Sequence, residues 1–143
     1  MPKASKELLD ALNDGLSEEL ASVIQYMWQH VTARGLESPA IAGLFKEISM
    51  VEMDHAYKVA ERIDLLGGVP TTAVGPVKLG GSLRQMLEDD LKAEEDAVEL
   101  YRNLVKLARK EDDPVTLRLV EDILGETEEH AHKLATILEK KTS

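Results

Sequence analysis

No cysteine occurs anywhere in the 143 residues. That absence excludes disulfides, zinc fingers, thiolate iron sites and thiol nucleophiles. Aromatic residues are also scarce, with one Trp, one Phe and three Tyr. Leu, Ala, Glu and Lys abound instead, a composition that favours helices and leaves little from which to build a sheet. No uninterrupted apolar run is long enough to span a bilayer. The opening Met1-Pro2-Lys3-Ala4-Ser5-Lys6 is not followed by the apolar stretch of a signal peptide, so a cytoplasmic protein with no membrane partner is expected. Basic residues are outnumbered, 17 Lys and Arg against 27 Asp and Glu, for a net charge of −10. A basic nucleic-acid surface is therefore not expected, and cations are the natural partners of such a chain.

What is present reads as four helices in a single domain spanning residues 1–143. The first is expected over Lys6–Ala33, with the stripe Leu12, Leu16, Glu19, Val23, Tyr26 and His30. Gly35 suits its C-terminal turn. Ser38-Pro39 gives a cap followed by Pro at the first helical position, and the second helix is expected over Pro39–Leu66. A Gly-, Pro- and Val-rich stretch from Gly67 to Gly81 follows. Its roughly 14 extended residues reach about 46 Å, against about 42 Å for a 28-residue helix. It can thus cross the length of a bundle and start a third helix parallel to the second. Ser82-x-x-Gln85 has the pattern of a capping box ahead of the third helix, Leu83–Lys110. Asp113-Pro114 opens the fourth, Pro114–Lys140. The predicted fold is all-α: an antiparallel four-helix bundle with one long crossover.

Each helix carries a polar residue at mid-length on its apolar stripe. Glu52 and His55 are the clearest case. They stand in Glu52-Met53-Asp54-His55, with both side chains on the face that also bears Phe45, Ile48, Val59 and Ile63. Burying a carboxylate without a partner is costly. A Glu and a His at i and i+3 can instead be satisfied together by one metal ion. A shift of 75 residues carries Glu19 onto Glu94, Tyr26 onto Tyr101 and His55 onto His130, so the chain reads as two hairpins of the same pattern. One position breaks the repeat, because Glu52 maps onto Thr127. Glu126 lies about 40° from His130 on the helical wheel, and is the best substitute ligand in the second half. Tyr26 either relays an electron to the site, hydrogen-bonds a ligand carboxylate or is a core aromatic. Met53 points about 100° away from Glu52 and out of the core.

Taken together, several stretches resemble the bacterioferritin branch of the ferritin-like superfamily. They are Leu12-Asn13 with Glu19-Leu20 and Gln25-Tyr26, Glu52-Met53-Asp54-His55-Ala56 with Glu61-Arg62-Ile63, Asp90-Leu91 with Glu94, and Ile123-Leu124 with Glu128-Glu129-His130. The likeness covers about Leu12 to Leu138. It implies a di-iron ferroxidase centre in which Glu19 and Glu94 are terminal or bridging carboxylates. Glu52 would be a bridge, and His55 and His130 one imidazole per iron. It also implies that Met53 is placed to bind haem, or a related iron porphyrin, between two subunits. Two departures stand out: Thr127 occupies the place of the family's sixth ligand, and a fifth helix has no counterpart here.

The expected function is iron storage and detoxification. Fe(II) would be oxidised by O2 or H2O2 at a centre within one subunit, and Fe(III) held in a hollow homo-oligomer. A dodecamer is favoured over a 24-subunit shell. The competing expectations are a rubrerythrin-like di-iron peroxidase and a non-catalytic haem- or metal-binding bundle.

Overall fold

Three of the four helices begin at a side chain that satisfies an otherwise orphaned amide. In the computed structural model, which describes residues 4–140, Ser5 accepts from Leu8 N–H at 3.0 Å and opens α1 (Lys6–Thr32). Ser82 accepts from Gln85 N–H at 3.1 Å and opens α3 (Leu83–Lys110). Asp113 accepts from Thr116 N–H at 3.1 Å and opens α4 (Pro114–Ile137). Such caps contribute about 1 kcal/mol each.

Three details depart from the pattern read in the sequence. Ser38 is already inside α2 (Ser38–Leu65), and Glu37 precedes it in a helical conformation with no side-chain cap. Pro39 alone marks that start, its fixed φ suiting the first turn. Gln85 does not complete the capping box, because its amide donates to Asp89 Oδ1 at 2.8 Å one turn ahead. The fourth helix stops at Ile137, three residues early, and Glu139 takes a φ of +59° just beyond the cap at Leu138.

Cross-helix contacts fix the topology. Ser49 Oγ bonds Val23 O and His30 Nδ1 meets Ala42 O, so α1 and α2 run antiparallel. Gln25 meets Asp90 while Tyr101 meets Glu19, so α3 runs antiparallel to α1 and parallel to α2. Arg62 meets Asp113 and His55 meets Glu126, which sets α4 antiparallel to α2. The stretch between α2 and α3 is the crossover. It has no regular structure of its own and climbs along α1, bonding Asn13 through Val69 and Thr71, then Ser17 through Gly75, then Gln25 through Lys78.

Two apolar clusters form the core. One gathers Leu8, Leu12, Leu16, Val59, Ile63, Leu104 and Ile123 toward the end where α1 starts. The other gathers Phe45, Ile48, Leu87, Leu91, Leu134 and Leu138 toward the opposite end. The polar residues predicted at mid-helix lie between them. The bundle is thus closed by apolar packing on both sides of one charged layer. No helix among the described residues is long and apolar enough to cross a membrane.

Candidate metal centre

Helical spacing projects a residue from each helix into the same layer. Glu19 comes from α1, Glu52 and His55 from α2, Glu94 from α3, and His130 from α4. The first four are 1–3 % exposed. Their donor atoms form two groups, Glu19–Glu52–His55 and Glu52–Glu94–His130, each with atoms within 4.8 Å of one another. Glu52 belongs to both. His55 Nδ1 lies 3.4 Å from Glu19 Oε2 and 3.8 Å from Glu52 Oε2. Neither approach has hydrogen-bond geometry, so Nδ1 is a buried nitrogen without a partner. His130 Nδ1 lies 3.2 Å from Glu52 Oε1 and 3.4 Å from Glu94 Oε2.

A second layer of contacts holds the carboxylates and crosses between the two halves of the repeat. Tyr26 donates its hydroxyl to Glu94 Oε2 at 3.2 Å, and Tyr101 donates to Glu19 Oε2 at 2.7 Å. Burial, then the nearby carboxylates, push both phenols well above their ordinary pKa, so both remain donors. Gly15 lets Tyr101 in: a Cβ there would sit 3.3 Å from the Tyr101 hydroxyl.

The chain matches the ferritin-like domain family over residues 9–142. A bacterioferritin from Desulfovibrio desulfuricans is 35 % identical over 87 % of this chain and 70 % of its own length. The chain belongs to the bacterioferritin branch of the ferritin-like family. Among solved structures, a ferritin-like, diiron-carboxylate protein from Bacillus anthracis superposes with a TM-score of 0.91 at 28 % identity, covering 93 % of this chain and 96 % of the other. The Mycobacterium tuberculosis bacterioferritin BfrA gives 0.87 at 29 %, over 96 % and 87 %.

In this ferritin-like bundle, electrostatics show how the buried charges coexist. Burial disfavours the His55 imidazolium, but the Glu19 and Glu52 carboxylates outweigh it and push the ring up to about 11. His130 is pushed up to about 10 in the same way, against burial, by Glu52 and Glu94. Burial and the Glu52 charge push Glu94 up to about 7 and drive Glu19 well above the carboxylate range. Glu52 itself is held below that range. Burial opposes its ionisation, but Glu19, His130 and His55 more than compensate. The two imidazoles, held protonated by their carboxylate neighbours, thus offset the buried negative charge.

The remaining predicted residues fall outside the two groups. Thr127 is buried and donates its hydroxyl to Ile123 O at 2.7 Å. Glu126 is half-exposed and reaches the far side of His55, with Oε1 3.2 Å from Nε2. Met53 is 37 % exposed and lines an apolar cleft of about 490 Å³ with Leu16, Leu20, Tyr57 and Val74. A buried cluster at Gln25 and Asp90 is not expected from the sequence, whereas a hydrogen bond from Tyr101 to a ligand carboxylate is one of the alternatives it shares with Tyr26. Gln25 donates to Asp90 Oδ1 at 2.9 Å and accepts from Lys78 N–H at 2.8 Å, tying α1, α3 and the crossover together. The repeat offered the signal for Tyr101, since it is the counterpart of Tyr26. Asp90 had no such signal, because a lone Asp one turn before Glu94 carries no spacing of its own.

Proposed function

We propose that this iron-storage protein oxidises Fe(II) at the buried layer, with Glu19, Glu52 and His55 holding one ion and Glu52, Glu94 and His130 the other. The reading rests on one observation: two buried donor groups share Glu52, and His55 Nδ1 among them lacks any hydrogen-bond partner. The donor set fits its substrate. Carboxylate oxygens favour iron and stabilise the more highly charged Fe(III), while imidazole suits Fe(II). Two Fe(II) ions surrender two electrons, enough to reduce O2 with two protons to H2O2, or H2O2 with two protons to water. Tyr26 and Tyr101 hold the outer carboxylates in place by donating to them. The product Fe(III) is stored in a hollow homo-oligomer, read as twelve copies. An exposed apolar face of Ile24, Met27, Val31, Met50, Met53 and Tyr57 supports association through α1 and α2.

Haem is part of the same proposal. Met53 offers a single thioether at an apolar cleft on the outer surface. It can provide one axial ligand, and the second would come from another copy. The group would act there as an electron carrier.

Glu52→Ala is the test. Wild type is expected to bind two Zn(II) ions per chain and oxidise Fe(II). The variant is expected to lose high-affinity binding of both ions, and with it the oxidation. Oxidation by the variant at the wild-type rate would sink the proposal.

A further inference from the structure

Two side-chain bonds set the register of α1 against α3. Tyr101 meets Glu19, and Glu94 meets Tyr26, seven residues further along α1 and seven back along α3. One more turn, three residues on along α1 and four back along α3, brings Gln29 opposite Asp90. Both side chains are 0 % exposed. Yet no bond closes this rung. Gln29 Oε1, Gln29 Nε2 and Asp90 Oδ2 are buried and find no hydrogen-bond partner among the described residues. The two side chains are close all the same, because the Gln29 amide lowers the Asp90 carboxyl against its burial. Buried polar atoms are rarely left unsatisfied, and these three make a set of partners that one water molecule can bind.

The rung has solvent on one side and the metal layer on the other. Gln25 donates to Asp90 Oδ1 at 2.9 Å and accepts from Lys78 N–H at 2.8 Å. Gln25 and Lys78 in turn line a cleft of about 210 Å³ with Ser22, Gly75 and Asp89. On the inner side, Asp90 stands one turn before Glu94 on α3, and the Tyr26–Glu94 bond is the next rung.

We propose that Gln29 and Asp90 hold a buried water, and that Asp90 supplies a proton through it to the oxidant reduced beside Glu94. The inference rests on the di-metal reading above and deepens it. Two electrons from two Fe(II) ions reduce O2 to H2O2 only with two protons. Carboxylates and imidazoles that ligate metal have given up theirs. Asp90 is a buried acid outside the ligand set. Its O–H bond breaks as the water takes the proton. The water passes one of its own to the Tyr26 hydroxyl, which releases one toward Glu94 and the oxidant as it gains one. An O–H bond forms on the reduced oxygen, Tyr26 ends as the neutral donor it was, and Asp90 regains a proton from the cleft. All the electrons come from Fe(II).

Burial pushes the Asp90 carboxyl up to about 7, so it both holds and gives a proton near neutral pH. Asp89 is its charged neighbour on α3, and Tyr26 the titratable group facing it from α1. Lys78 stands on the crossover. From α2 and α4, apolar Phe45, Ile48 and Leu134 close this end of the bundle.

Single-turnover oxidation tests this, on the assembled protein preloaded with two Fe(II) per chain and mixed with O2. Zn(II) titration calorimetry runs beside it. Asp90→Asn keeps the shape of the side chain but cannot give a proton. It is expected to bind two Zn(II) per chain within about twofold of wild type and to oxidise Fe(II) about 100-fold more slowly. The ratio of wild-type to variant rate should fall as pH rises through about 7, because the wild type then loses its donor form. Gln29→Leu removes two of the three partners of the water and should slow oxidation about 10-fold at unchanged Zn(II) affinity. Oxidation by Asp90→Asn at the wild-type rate would overturn the proposal. So would slowing that is equal at every pH, or that comes with weakened Zn(II) binding, since either makes the role structural. Failure of the parent reading looks different: the wild type itself would bind fewer than two Zn(II) ions, or Glu52→Ala would keep both, and this inference would fall with it.

Discussion

Asp90 shows how one buried side chain can make the stability of the fold depend on pH. It is fully buried, Gln25 bonds one of its oxygens, and the other has no partner. Burial pushes its carboxyl up to about 7. The unfolded chain ionises it near the ordinary value of 3.8. Between those two values the folded state holds more protons than the unfolded one, so stability falls as pH rises and levels off above about 7. Asp90→Asn mimics the protonated form and should escape that loss. In the metal-free protein its advantage over wild type should be near zero at about pH 4. It should grow to on the order of 3–4 kcal/mol at about pH 8. Thermal midpoints measured across that range check this; a constant difference at all pH values would show that Asp90 is not the group responsible.

At the scale of elements, the bundle is pinned where α2 ends and α4 begins. Arg62 donates to Thr116 Oγ1 at 2.8 Å and to Asp113 Oδ1 at 3.0 Å, with both charged side chains largely buried. Asp113 meanwhile caps α4. Burial alone would raise the Asp113 carboxyl, but Thr116 and then Arg62 hold it below its ordinary range. Removing one partner of such a pair leaves the other charge uncompensated, so Arg62→Ala should cost roughly 3 kcal/mol at neutral pH. Because the folded pKa is depressed, this contribution is present above about pH 4 and fades as pH falls further. Chemical denaturation at pH 7 and pH 3 checks it. An equal loss at both would assign the cost to lost packing of the Arg stem instead.

At the scale of the whole molecule, the exposed apolar face on α1 and α2 calls for a partner, and a second copy is the one the family offers. Size-exclusion with light scattering should give one large species near twelve subunits. An absorbance spectrum across that peak should carry a Soret band that Met53→Leu removes. A monomer or dimer would remove the storage shell. A large species without the band would keep the shell and discard haem.

The sequence by itself determined the four helices, the crossover and the layer of Glu19, Glu52, His55, Glu94 and His130. Helical periodicity is a local property, and a polar residue on an apolar stripe is visible without coordinates. Only the tertiary structure decided which atoms meet. The crossing of Tyr26 to Glu94 and of Tyr101 to Glu19 joins residues 68 and 82 positions apart, set by the packing of α1 on α3. Glu126 is the sharpest case. On the helical wheel it lies close to His130 on its own helix, which made it a candidate second ligand. In the folded bundle it faces His55 across the α2–α4 seam. Spacing along one helix reports direction from that axis, and the neighbour that receives the side chain is fixed only when the helices pack.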